Sequence, residues 1–197
     1  MNTKRRLAVP GGLVPHPRFA PRADHARIPI AEAEIRRGFW RLRRAVIFPE
    51  SVIVANVMRQ HYAIYPRRYY VDVLENCREC GLPFLFFARE QKFWYEELGF
   101  HVEACATLCS ACRQRAHARR ALLARYAEAV REAKPSGEAL LSLVDIVAGL
   151  AEAGVLKRVE RLGALKNRAL RQCGENPRIE RLAAVAARLR VAQQPAK

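Results

Sequence analysis

The chain has 197 residues and about half of them are apolar, so it can build a true core, but it is too short for two large domains. Its formal net charge of +16 favours a polyanionic partner, RNA or DNA above all, and an anionic membrane surface less so. No stretch approaches 18 uninterrupted apolar residues, and Pro10, Gly11 and Gly12 interrupt the start where a secretory signal would be continuous, so a soluble cytoplasmic protein is expected.

The charge is unevenly placed: +8 over residues 1–48, −1 over 49–113 and +9 over 114–197. The middle of the chain is therefore neutral and its flanks are basic. Residues 1–30 hold five prolines and no apolar period, which reads as a disordered basic arm. From Glu32 to Arg44, Ile35, Phe39 and Leu42 recur at helical spacing, with acids early and arginines late, as the helix dipole favours. Residues 31–66 are read as this basic amphipathic helix, weakened by Gly38, and a linker.

Tyr69–Leu74 is β-branched and aromatic and runs into Cys77, so it predicts a strand feeding a metal-binding turn, and Leu82–Phe87 predicts its hairpin partner. Arg89–Leu98 loses the strand pattern and stops at Gly99, a helix ending. After Cys112 the chain reads as helices: about 114–133, then from Ser136 to Gly154, about 156–172, and a last one with Asn176 as cap and Pro177 at its first position. Leu140, Leu143, Val144, Val147 and Leu150 form a wide apolar stripe that has to be covered by the other helices or by a partner.

Six cysteines without a secretory signal point to metal binding in a reducing compartment. Cys77-Arg78-Glu79-Cys80-Gly81 and Cys109-Ser110-Ala111-Cys112 each suit a tight turn that offers two thiolates to a tetrahedral zinc. Gly81 is free to take the backbone conformation that such a turn demands. Cys77, Cys80, Cys109 and Cys112 are thus expected to hold one structural Zn2+. Four protein ligands leave no open coordination position, so the metal would stabilise structure and would not activate water. Cys105 and His101 remain alternative ligands by proximity in the chain, and Cys173 reads as a small buried hydrophobe.

The segment Tyr69–Arg113 resembles a zinc-ribbon family found in short bacterial proteins. The likeness rests on Tyr69-Tyr70-Val71-Asp72, the turn Cys77–Gly81, Phe84–Phe87, Glu90-Gln91-Lys92-Phe93-Trp94-Tyr95-Glu96, Gly99-Phe100 and Cys109–Arg113. Ile47–Gln60 resembles the upstream part of the family. The resemblance implies a zinc-binding ribbon and carries no activity with it.

The resulting expectation is an α+β protein: a four-cysteine zinc ribbon at 67–115, made of β-hairpins with an inserted helix, and a mostly helical C-terminal region at 116–197. Arg113, Arg115, Arg119 and Arg120, with Arg125 further along the same helix, are the expected phosphate contacts, with Trp94 or Tyr95 as a base-stacking ring. No Walker loop, dinucleotide fingerprint, metalloprotease histidine pair or nucleophile elbow occurs, so no enzymatic activity or small-molecule substrate is expected. The alternative is a protein-interaction adaptor whose helical tail binds a partner.

Overall fold

A computed structural model describes residues 12–20, 30–132 and 134–193. The chain divides into two compact units, residues 1–114 and 115–197.

The first unit is built on a three-stranded antiparallel sheet in the order β1 (Val46–Val54), β2 (Tyr69–Asn76), β3 (Pro83–Phe86). β2 is central and its residues Tyr70–Val73 are buried, because both faces of the sheet are covered. Alternation along the strand sends Val71 and Val73 to one core, with Ile35, Phe39, Leu42, Ile47 and Val52. Tyr70 enters a second core, with Phe84, Phe86, Tyr95, Val102 and three of the cysteines.

β1 falls inside the segment expected to be a linker. Its β-branched alternation is broken by Pro49-Glu50-Ser51, and the register to β2 shifts between Phe48 and Ile53 at that point. Pro49 has no N–H to give to the ladder. The Ser51 hydroxyl substitutes, donating to the Phe48 carbonyl at 2.7 Å and accepting from the Asp72 N–H at 2.7 Å.

The expected helix over 32–44 is shorter. α1 covers Glu32–Arg37, stops at Gly38, and a 3-10 turn follows at Trp40–Arg43. A Cβ at Gly38 would stand 2.8 Å from Cδ2 of Tyr69, so the break sits where a strand side chain lies directly on the backbone.

After β3, α2 (Ala88–Lys92) runs into one wider turn at Phe93–Glu97 and ends at Gly99, whose φ is +67°. Gln91 fastens this helix to the sheet: its amide nitrogen donates to the carbonyls of Val71 at 2.7 Å and Phe86 at 2.9 Å. The Asp72 carboxylate accepts from the N–H of Ala88 at 2.7 Å, satisfying one of the free donors at the start of α2. Burial pushes the Asp72 pKa up to about 6.

The expectation of a disordered arm over 1–30 fails for residues 12–20, which pack on the first unit; residues 1–11 and 21–29 lie outside the described residues. Val14 donates its N–H to the Pro83 carbonyl at 3.0 Å, and Leu13 and Phe19 pack against Phe48, Leu85 and Phe87. The prolines that suggested disorder here hold an extended strap whose apolar side chains reach the sheet.

α3 (Ser110–Ala129) begins four residues earlier than expected, with the second cysteine pair forming its first turn. In the second unit, α4 (Gly137–Glu152), α5 (Val159–Cys173) and α6 (Pro177–Gln193) cover one another's apolar stripes. Leu140, Val144 and Ala148 meet Leu162, Ala169, Ile179, Leu182 and Val185 in one core. Leu122 of α3 packs over Gly149, where a Cβ would come within 3.2 Å of its Cδ1. Asn176 caps α6, accepting from the Arg178 N–H at 3.0 Å.

Candidate metal centre

The first pair of cysteines sits at the β2–β3 turn. The ladder ends with Asn76 opposite Pro83, the Cys77 N–H donates to the Leu82 carbonyl at 3.0 Å, and the Gly81 N–H returns to the Cys77 carbonyl at 2.9 Å. Gly81 has φ +73°, a conformation that costs a non-glycine residue of the order of 1 kcal/mol. A further bond, Arg78 N–H to the Thr107 carbonyl at 3.0 Å, ties this turn to the segment leading into the second pair.

The second pair sits at the start of α3, with Cys109 just before the helix and Cys112 in its first turn. The first N–H groups of a helix have no carbonyl partners within it and carry the positive end of its dipole, which favours thiolates there.

The sulfurs of Cys77, Cys80, Cys109 and Cys112 all lie within 4.8 Å of one another, and those of Cys80 and Cys109 are 3.9 Å apart. A tetrahedron with Zn–S bonds of about 2.3 Å has sulfur–sulfur edges of roughly 3.8 Å, so the donor set matches zinc in number, type and spacing. The cysteines are free thiols, three of the four buried. Burial raises the Cys77 thiol, but the backbone N–H groups of Cys80, Cys109 and Glu79 outweigh it and draw it down to about 6. Burial and bonds from the other three sulfurs push Cys112 up. Four crowded sulfurs cannot all ionise without a cation among them, and a dication removes that conflict.

Residues 71–121 match the family model of a probable treble clef domain. The segment resembles a treble clef. In that light the hairpin turn and the helix start are the two halves of one zinc-binding region, and the four cysteines are arranged to hold a single structural zinc. The α+β expectation holds, with antiparallel strands at the treble clef and helices after it. Searches of curated proteins and of solved structures return no match.

Neither alternative ligand joins the cluster of four. The Cys105 sulfur accepts from Arg41 Nη1 at 2.9 Å, and His101 packs its ring on His61 at 5.3 Å while its Nδ1 accepts from the Glu103 N–H at 3.3 Å. Cys173 is half-buried at the end of α5, its thiol directed to the Gly137 carbonyl at 3.7 Å.

The treble clef is backed by a polar bridge that sequence reasoning missed. Glu90 of α2 is buried, and its Oε1 lies 2.6 Å from Arg113 Nη2, one residue beyond the last cysteine, and 3.4 Å from His16 Nε2 of the strap. His16 Nδ1 accepts from the N–H groups of Arg18 and Phe19 at 3.1 and 3.0 Å, so Nε2 carries the ring proton and faces the carboxylate. Burial first, then Arg113 and Arg18, hold the His16 pKa down at about 4. The Arg113 guanidinium also lies 5.1 Å over the ring of Trp94. The Glu-Gln-x-x-Trp run therefore does structural work: Glu90 and Trp94 seat Arg113, and Gln91 holds the sheet.

Two expected nucleic-acid contacts are corrected by this arrangement. Tyr95 is fully buried against Tyr70 and bonds its hydroxyl to the Ala104 carbonyl, so it has no face to offer a base. Arg113 is occupied by Glu90 and Trp94. Trp94 itself is half-buried between Phe86 and Phe100, at ring distances of 5.0 and 5.4 Å. Arg115, Arg119, Arg120 and Arg125 are exposed on α3.

Proposed function

We propose that this is a non-enzymatic zinc protein of the cytoplasm that binds nucleic acid or a ribonucleoprotein, with the treble clef as a rigid platform and the basic flanks supplying affinity. The observation that carries this reading is the middle of α3. Between Arg113 and Glu128 the helix has no acidic residue, and Arg119, Arg120 and Arg125 are exposed with no ion pair among the described residues. Arg119 and Arg120 place two like charges side by side on this face, which a phosphate backbone neutralises. Ser110 and Cys112 are the fully buried residues of this helix, and Leu122, Tyr126 and Ala129 pack on the second unit's core, which leaves the arginine-bearing face exposed.

The absence of an open metal position supports a non-catalytic role, because zinc held by four thiolates has no site for a substrate or water. None of the described helices is long and apolar enough to cross a membrane. The adaptor reading is weakened by the second unit, since α4, α5 and α6 bury their apolar stripes in one another and need no partner to do so.

The test is binding of the full chain to RNA and DNA oligonucleotides at 50 and 200 mM salt. Affinity should fall steeply with salt, and R115E/R119E/R120E should abolish binding while leaving zinc content unchanged. Clean protein that shifts neither polymer at low salt would overturn the reading, and a stable heteromeric complex free of nucleic acid would favour the adaptor.

A further inference from the structure

The connection between β1 and β2 presents a set of side chains that neither the zinc site nor the cores use. Met58, Tyr65 and Ile64 are 89%, 78% and 75% exposed, the highest values among the large apolar side chains of the described residues, and Tyr62 is 40% exposed. They fall within eight consecutive residues. Exposed apolar groups so concentrated mark a contact surface.

This loop is held closed from below. The Gln60 amide clasps Arg67 at both ends: Oε1 accepts from the Arg67 N–H at 2.9 Å and Nε2 donates to the Arg67 carbonyl at 2.8 Å. The same Nε2 reaches the Tyr70 hydroxyl at 2.6 Å. Beside it, the Val102 N–H donates to the His61 carbonyl at 3.0 Å, and the Ala55 N–H to the Arg68 carbonyl at 3.0 Å. Arg67 is the anchor: its guanidinium is buried over the rings of Phe39 and Tyr95, at 3.9 and 4.6 Å, and donates to the Val102 carbonyl at 2.6 Å. Residues 61–66 are thus displayed on a fixed base, which lowers the entropy lost when their tips are covered.

The charge around the loop selects the partner. No Asp or Glu occurs between Glu50 and Asp72, and Arg59 and Arg68 are exposed without an ion pair among the described residues. An apolar protein surface would cover Tyr65 and Ile64 but would have to desolvate or avoid the two guanidinium groups. An unpaired polynucleotide meets both needs, because each base has a π face for a ring and each linkage a phosphate for an arginine. A duplex does not, since its base faces are already stacked.

We propose that loop 61–66 is a stacking surface for single-stranded nucleic acid, with Tyr62 and Tyr65 under unpaired bases and Arg59 and Arg68 on the adjoining phosphates. This rests on the nucleic-acid reading above and adds to it the surface and the strandedness of the ligand. The α3 arginines act on any phosphate backbone; the loop discriminates single strand from duplex.

The experiment is fluorescence anisotropy of the full, zinc-containing chain with a labelled 15-nucleotide oligo-U and a labelled 15-base-pair duplex. Y62A/Y65A should weaken oligo-U binding about 10- to 100-fold and leave duplex binding within twofold. Y62F/Y65F should restore it, and Y62L/Y65L, which keeps apolar area without a π face, should behave as the alanine pair. Zinc content and circular dichroism of each variant show that the fold is kept, as the exposed tips predict. Unchanged oligo-U affinity in Y62A/Y65A, alongside loss in R115E/R119E/R120E, would overturn the loop assignment and leave the proposed function standing. Full affinity in the leucine pair would also overturn it, because apolar contact and not stacking would then be at work. A wild-type chain that binds neither probe would remove both proposals together.

Discussion

Arg113 Nη2 lies 2.6 Å from Glu90 Oε1, and this pair joins the helix that carries the second cysteine pair to the helix packed behind the sheet. The guanidinium is one residue past Cys112 and also lies 5.1 Å over the ring of Trp94. The carboxylate is buried and its pKa is raised by burial, with Arg113 working against that shift. The ion pair keeps a charge in a place where either partner alone would be costly.

Removing the carboxylate strands the cation. Glu90→Ala should lower stability by about 2–3 kcal/mol, below the range for fully buried pairs because Arg113 retains some solvent contact. Glu90→Gln should cost less, since the amide oxygen still accepts a bond. Urea unfolding followed by circular dichroism measures both, and a Glu90→Gln variant as stable as wild type would show that the charge on Glu90 contributes little.

Gly38 tests the close packing between α1 and β2. The Cβ of Gly38→Ala would stand 2.8 Å from Tyr69 Cδ2 and 3.1 Å from the Ile35 carbonyl oxygen, and the ring has to move. A loss of about 1–3 kcal/mol is expected, despite the higher helix propensity of alanine. Tyr69→Ala in the same background should recover part of it, and a thermal melt of the single and double variants gives the comparison.

Asp72 gives a pH dependence of defined sign. Its folded pKa of about 6 exceeds the value of about 3.9 expected in the unfolded chain, so the folded state holds the extra proton between those values. The stabilisation is present in full below pH 4 and is lost as pH rises through 6. Asp72→Asn, neutral throughout and still able to accept from the Ala88 N–H, lacks this loss. The stability of Asp72→Asn relative to wild type should rise by about 1 kcal/mol between pH 5 and pH 7. His16, with a depressed pKa, titrates in the opposite sense in both proteins and cancels in the difference. A difference that is flat with pH would show that Asp72 is ionised throughout.

How much of this was readable from residues alone depended on how strictly each feature is governed by chemistry. The four ligands were legible because zinc coordination restricts both residue type and spacing. The helices after Cys112 were legible through Asn176-Pro177, Pro135 and the glycine stops, with ends displaced by at most four residues. β1 was not, because Pro49 and the bulge around it erase the alternation that identifies a strand. Nor was the fate of Tyr95 and Arg113, because an aromatic beside an arginine reads the same in sequence whether it faces water or Glu90. The exposed loop at 61–66 carried a signal, two tyrosines and an isoleucine before Pro66-Arg67-Arg68, but only the Gln60 clasp distinguishes display from burial.

One zinc, gripped by Cys77, Cys80, Cys109 and Cys112, holds the treble clef together. Elemental analysis of freshly purified, reduced protein should find one zinc per chain, and C109S/C112S should lose it. Hydrogen exchange in that variant should lose protection over residues 69–112 and keep it in α4, α5 and α6, whose core contains none of the four ligands. Protein with no stoichiometric zinc, or a C109S/C112S variant that keeps protection over 69–112, would show that no metal organises this segment.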